Sequence, residues 1–155
     1  MEWREAGIEV LTDDELVAGF EAGALAEFHH ADHVRLTLVY LARHGRDAAL
    51  RRMMDGVRQF AAGKGHPEKF HLTMTRAWVD LLQAARAAHP GAPDPAALVA
   101  ACPALLDKNA LLRFYSPGSL HSERARTTWV PPDLLSDIEC GHPAVHPAGG
   151  PARHE

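Results

Sequence analysis

The apolar residues of this chain recur at the spacing of an α-helix, and this periodicity constrains its fold more than any other feature. Leu36, Val39 and Tyr40 share one helical face, and two further leucines widen it, which is typical of a central helix. No run shows the strict alternation of polar and apolar residues that marks a half-buried strand. The sequence therefore predicts an all-α fold, a single compact bundle of five or six helices with an irregular C-terminal segment.

Capping and chain-breaking residues predict where these helices begin and end. Thr12 and Glu15 have the spacing of a capping box, in which each side chain accepts a hydrogen bond from the other residue's amide. Gly45 is a typical helix stop, and Pro67 suits the first turn of a long helix. The predicted helices run from Asp13 to about Glu21, Asp32 to His44, Asp47 to about Ala62, Pro67 to about Ala88, Pro95 to a break at Pro103, and Ala104 to Tyr115.

Length and composition are those of one globular domain. The chain has 155 residues, of which 46% are hydrophobic and 23% are charged. Residues 1–140 are predicted to form the helical domain, and residues 141–155, with few apolar side chains, a flexible tail. A net charge of −4 gives no basic character for nucleic acid, and no run reaches the ~18 apolar residues of a membrane span.

The N-terminal residues and the two cysteines favour a cytoplasmic protein. The first ten residues, MEWREAGIEV, are acidic where a secretory signal would be basic and then apolar. Cys102 and Cys140 are far apart and belong to no Cys-x-x-Cys pair, so neither a disulfide framework nor a thiolate zinc site is predicted.

Eleven histidines are many for this length, and three of them are candidate metal ligands. His30 and His33 lie three positions apart at the start of the second helix, where both can point the same way, and His29 is an alternative partner of His33. His71 is predicted inside the fourth helix, and ligands in helical bundles come from facing helices. Three neutral imidazoles with an open position suit Zn²⁺, Fe²⁺, Cu or Mn²⁺. The alternative is that these histidines are polar helix-end and core residues.

Three charged residues are candidates for supporting roles in catalysis. Asp32 is expected to cap the second helix, and its other available role is to hold the second N–H of a ligand histidine. Arg35 lies in the first turn, where a cation opposes the helix dipole, which indicates a carboxylate partner or an anionic ligand. Arg126, together with Arg35 or Arg76, could bind a carboxylate or phosphate through a bidentate fork; otherwise the C-terminal arginines form a solvated face.

Two motifs resemble those of an uncharacterised family of small bacterial all-α proteins. The first, F-x-H-x-x-H-[LV]-R-L, is matched by residues 28–36, and the second, [YF]-H-x-T-[IM]-T, by residues 70–75. The resemblance covers most of residues 13–134 and implies His30, not His29, as the partner of His33. The family has Glu after the second motif's histidine where this chain has Leu72, so any ligand or base at that position is missing here.

These patterns together predict a metal-dependent enzyme that acts on a small anionic molecule. His30, His33 and His71 would bind one divalent ion, which would activate a water or polarise a substrate oxygen in hydrolase or lyase chemistry. Arg35 or Arg126 would orient the substrate. Leu72 favours the alternative, a non-catalytic metal- or small-ligand-binding module, and a purely structural role is the third hypothesis. The expected partner is a small molecule, neither nucleic acid nor a membrane is expected, and a homodimer is left open.

Overall fold

The computed structural model describes residues 11–134, and this part of the chain is helical, with no strand among the described residues. It contains seven α-helices: α1 (Asp13–Glu21), α2 (His30–His44), α3 (Arg46–Gly63), α4 (Leu72–Ala88), α5 (Pro95–Ala101), α6 (Pro117–Leu120) and α7 (Glu123–Thr127). Short 3-10 turns lie at Pro67–Lys69, Pro103–Leu106 and Ala110–Arg113. No helix within residues 11–134 is long and apolar enough to cross a membrane. The predicted all-α class is confirmed.

Helix α2 lies at the centre of the bundle. Ten of its residues between Ala31 and Leu41 are buried. It contacts α3 and α4, which also contact each other, while α1 and α5 pack against it from outside. Gly45 takes a left-handed conformation (φ 84°) between α2 and α3, which only glycine adopts without strain. Both the central position of this helix and its stop at Gly45 are confirmed.

Two helices begin two or more residues from their predicted starts. Helix α2 begins at His30, because His29 and not Asp32 is the capping residue, and the Asp32 carboxylate accepts a hydrogen bond from the His29 amide at 3.0 Å. Helix α4 begins at Leu72, because Pro67 starts a separate 3-10 turn. The third predicted helix is correct to within one residue at each end.

The predicted helix from Ala104 to Tyr115 is wrong. Two 3-10 turns occupy this stretch, and Asp107 lies between them with its carboxylate accepting from the Asn109 amide at 2.9 Å. Aspartate side chains that bind nearby amides compete with the helical hydrogen bonds, which explains the break.

The segment predicted to be irregular contains α6 and α7 and then an extended strap, residues 128–134, that returns across α4. The Thr73 hydroxyl donates to the Thr128 carbonyl at 2.7 Å, and the Tyr115 hydroxyl donates to the Val130 carbonyl at 2.7 Å. Ser116 accepts from the Ser119 amide and so caps α6. Residues 135–140 of the predicted domain, with Cys140, and the predicted tail at 141–155 lie outside the described residues.

Candidate metal site

The first turn of α2 holds His30 and His33 side by side. Their ring centroids are 6.4 Å apart, and the ring planes differ by 16°. Aromatic side chains flank both: Phe28 meets His33 edge-on at 5.9 Å between centroids, and Trp78 of α4 meets His30 at 4.6 Å. The structure thus brings together the two histidines that the three-residue spacing pairs.

His30 connects α2 to the 3-10 turn that follows α5. Its Nε2–H donates to the Leu105 carbonyl at 3.0 Å, and because a carbonyl only accepts, the neutral ring carries its proton on Nε2. Burial lowers the pKa of His30, while Asp107 and Lys108 act on it in opposite directions. The imidazole is therefore neutral at pH 7, with an unprotonated Nδ1.

His33 has no hydrogen-bond partner for either ring nitrogen within the described part of the chain; its ring contacts are Phe28 and His30. Burial lowers the pKa of His33 to about 3, and the neighbouring His30 acts in the same direction. Buried polar groups in proteins normally have a partner. His33 as a residue is only partly buried, and because no group within residues 11–134 occupies its unprotonated nitrogen, that lone pair is a candidate for binding a ligand.

His71 does not lie inside α4 as predicted; it is the residue that caps this helix. Its Nδ1 accepts from the Met74 amide at 3.0 Å, and its Nε2–H donates to the Leu120 carbonyl at 2.8 Å. Burial lowers its pKa, which agrees with a neutral ring. Both nitrogens are engaged, so a metal ion at His71 would have to displace one of these hydrogen bonds. Histidine is not among the usual capping residues, which is why the sequence pattern did not reveal this role.

We expect His71→Ala to lower the free energy of unfolding by about 1–2 kcal/mol, since it removes a cap and a tertiary hydrogen bond. His71→Asn should restore part of this loss, because asparagine can accept from the Met74 amide. Urea denaturation of the two variants measures the difference. Unchanged stability in His71→Ala would show that the two hydrogen bonds contribute nothing.

The three predicted histidine ligands do not form one cluster. Within residues 11–134, no three side chains of His, Cys, Asp or Glu are grouped so that they could hold a metal ion. The structure pairs His30 with His33 and uses His71 as a cap. The three-histidine site therefore stays a prediction that would require His71 to leave its hydrogen bonds.

Asp32 and Arg35 both have partners inside the protein. The buried Asp32 carboxylate binds the His29 amide, so it stabilises the start of α2 although it is not the capping residue itself. The Arg35 Nε donates to Asp13 at 3.0 Å, and its NH2 donates to the Leu11 carbonyl. Of the two explanations that the helix dipole left open for Arg35, the structure supports the carboxylate partner.

Arg126 is likewise engaged. It forms an ion pair with Glu123, one turn earlier in α7, and donates to the Glu68 carbonyl at 3.0 Å. The two arginines predicted to orient a substrate are thus both bound to groups of the protein. Arg76, the third candidate, lies on the far side of α4 beneath Trp129.

Two neighbours of the site were not evident from the sequence. Trp78, from the neighbouring helix α4, packs against His30. The Leu105 carbonyl fixes the tautomer of His30, but a backbone group has no residue signature. Trp78 lies on the buried side of α4, and this side packs against α2. This position is the one signal that could have indicated a contact between Trp78 and the histidine pair.

Comparisons of the chain with models of protein families, with curated proteins and with solved structures find no match in any of the three. The likeness to small bacterial proteins therefore remains a resemblance in two motifs.

Proposed function

We propose that this protein is a metal-binding module, with His33 and His30 as ligands of one divalent ion at the start of α2. The observation that carries the proposal is His33, a neutral imidazole with no hydrogen-bond partner among the described residues beside a second neutral imidazole. Metal ions bind the neutral form, so neither ring has to lose a proton at pH 7. Zn²⁺, Fe²⁺, Cu and Mn²⁺ are the candidate ions.

The ion pairs of the two arginines that were candidates for substrate binding favour a binding function over catalysis. Arg35 and Arg126, the predicted substrate contacts, are held by Asp13 and Glu123. Two protein ligands leave coordination positions for water or for an oxygen of a small ligand. The module would thus present a metal ion, with a small molecule completing its coordination.

A metal-dependent enzyme of hydrolase or lyase type is the second candidate. The observation in its favour is that His71 is also held neutral and lies at the start of α4, which packs against α2. If its ring exchanged the Met74 amide for a metal ion, the site would gain the third imidazole common in catalytic zinc centres. Leu72 supplies no carboxylate as a general base.

Titration with Zn²⁺ tests the proposal, using protein made without a histidine tag and freed of metal by a chelator. We expect about one ion per chain to bind, with His33→Ala and His30→Ala each weakening the affinity by at least about tenfold. His29→Ala is the matched control, because His29 is exposed and pairs with Glu27. Circular dichroism establishes that each variant is folded. Equal affinity in His33→Ala and the parent would overturn the proposal.

His71→Ala separates the two candidate functions. The binding module predicts unchanged zinc affinity in this variant, because its ring is a cap. The enzyme predicts weaker zinc binding in His71→Ala together with a turnover that His33→Ala abolishes.

A further inference from the structure

Arg76 presents a guanidinium whose hydrogen-bonding capacity is largely unused. Its central carbon lies 3.9 Å from the centroid of the Trp129 ring. Its Nε is buried and has no hydrogen-bond partner. The nearest carboxylate oxygen, on Asp80, is 3.8 Å from that nitrogen, which is too far for a hydrogen bond.

Asp80 is already bound by another arginine. Its Oδ1 accepts from the Nε of Arg46 at 2.9 Å and lies 2.8 Å from the NH2 of the same side chain. Arg46 also reaches the exposed Asp47 at 3.2 Å. Arg76 is therefore only loosely paired with Asp80, while Arg46 holds that carboxylate.

The strap fixes Trp129 as a platform for Arg76. Before Trp129, the Thr128 carbonyl accepts a hydrogen bond from the Thr73 hydroxyl. After it, the Val130 amide donates to the Thr73 hydroxyl oxygen, and the Val130 carbonyl accepts from the Tyr115 hydroxyl. Anchors on both sides of the indole limit its movement, so the stacked guanidinium is preorganised.

We propose that Arg76, stacked on Trp129, binds the carboxylate or phosphate group of a small ligand. Stacking against a ring leaves the rim of a guanidinium free, and because the Nε of Arg76 is buried, its terminal NH1 and NH2 groups form the fork that matches two anionic oxygens. About 36% of the Arg76 side chain is exposed, so an anion can approach it. Arg35 and Arg126 lack this capacity because carboxylates of the protein occupy them.

This anion site is separate from the histidine pair. Trp78, two positions after Arg76, faces His30. Side chains two positions apart on a helix point about 200° away from each other, so Arg76 lies on the opposite side of α4. Anion binding at Arg76 is therefore independent of metal binding at the histidine pair.

Titration with inorganic phosphate, and in parallel with acetate, tests this site at constant ionic strength. The Nε–H resonance of Arg76 is followed by NMR, and affinity by tryptophan fluorescence. We expect saturable binding of at least one of these anions, lost in Arg76→Gln and weakened about tenfold or more in Arg76→Lys, which keeps the charge but not the fork. Arg51→Gln, at an exposed position of α3, should bind like the parent.

The two anions distinguish the sources: saturation by phosphate alone indicates a phosphate ester, and saturation by acetate indicates a carboxylate. A non-saturating response to both anions would overturn the proposal, as would equal binding in Arg76→Lys and the parent. If Arg76→Gln does not fold, the Nε–H resonance of the parent and the Arg76→Lys variant decide the outcome.

Discussion

Replacing Gly56 with alanine is expected to destabilise the protein by about 2 kcal/mol or more. A Cβ atom at this position of α3 would lie 2.0 Å from Cε2 and 2.2 Å from Cζ of Phe20. Phe20 is 4% exposed and stacks on Phe28 at 5.1 Å between centroids, so it has little room to move. Alanine is the better helix former by about 1 kcal/mol, which offsets only part of the overlap.

Gly63→Ala is the matched control for this substitution. Gly63 ends the same helix, and a Cβ atom there would meet nothing within 4 Å. We expect its free energy of unfolding to equal or exceed that of the parent. Denaturation by urea measures both variants, and equal stability of Gly56→Ala and Gly63→Ala would contradict the close packing of α1 on α3.

Acidification of the metal-free protein from pH 6.5 to pH 4.5 is expected to lower its free energy of unfolding by about 2 kcal/mol through His33 alone. Burial lowers the pKa of His33 to about 3 in the folded protein, whereas the unfolded chain binds this proton near pH 6.5. Between these values the unfolded state holds more protons, so stability falls as the pH falls. His30 and His71, whose pKa values are also lowered, add losses of the same sign.

The variant His33→Gln isolates the contribution of this residue. Its stability should fall less between pH 6.5 and pH 4.5 than that of the parent, by about 2 kcal/mol. The chosen range lies largely above the titration of the carboxylates whose pKa values are lowered, Glu68, Glu123 and Asp133. His29→Gln, an exposed site, should keep the parent's pH dependence. Parallel curves for His33→Gln and the parent would show that His33 is not buried in its neutral form.

The aromatic residues at the start of α2 link these two predictions. Phe20 of α1 stacks on Phe28, and Phe28 in turn contacts the His33 ring edge-on. The packing of α1 on α3 therefore also positions an aromatic ring beside the histidine pair. A displaced Phe20 should therefore change the surroundings of His33 as well as the stability of the bundle.

The sequence predicts well those features that depend on neighbouring residues. The capping box of Thr12 and Glu15 is present with hydrogen bonds of 2.9 and 3.0 Å, because its groups lie three positions apart in one turn. The pairing of His30 with His33 follows from the same local geometry. The buried face of α2 is also evident, because hydrophobic periodicity alone determines it.

Features that depend on distant parts of the chain could not be predicted. His71 donates its second hydrogen bond to a group 49 positions away, the Leu120 carbonyl. Arg35 donates a hydrogen bond to Asp13, which lies 22 positions earlier in the chain. The stacking of Arg76 on Trp129 depends on the return of the strap across α4. Since these contacts decide which side chains remain open to ligands, the sequence offered more candidate residues than the structure leaves available.

Nitrogen-15 NMR of the histidine rings during titration with Zn²⁺ tests the proposed site most directly. We expect zinc to shift a ring nitrogen of His33 and Nδ1 of His30, with saturation near one ion per chain, while the His71 nitrogens keep the pattern set by the Met74 amide and the Leu120 carbonyl. Unshifted nitrogens of His33 at saturating zinc would contradict it.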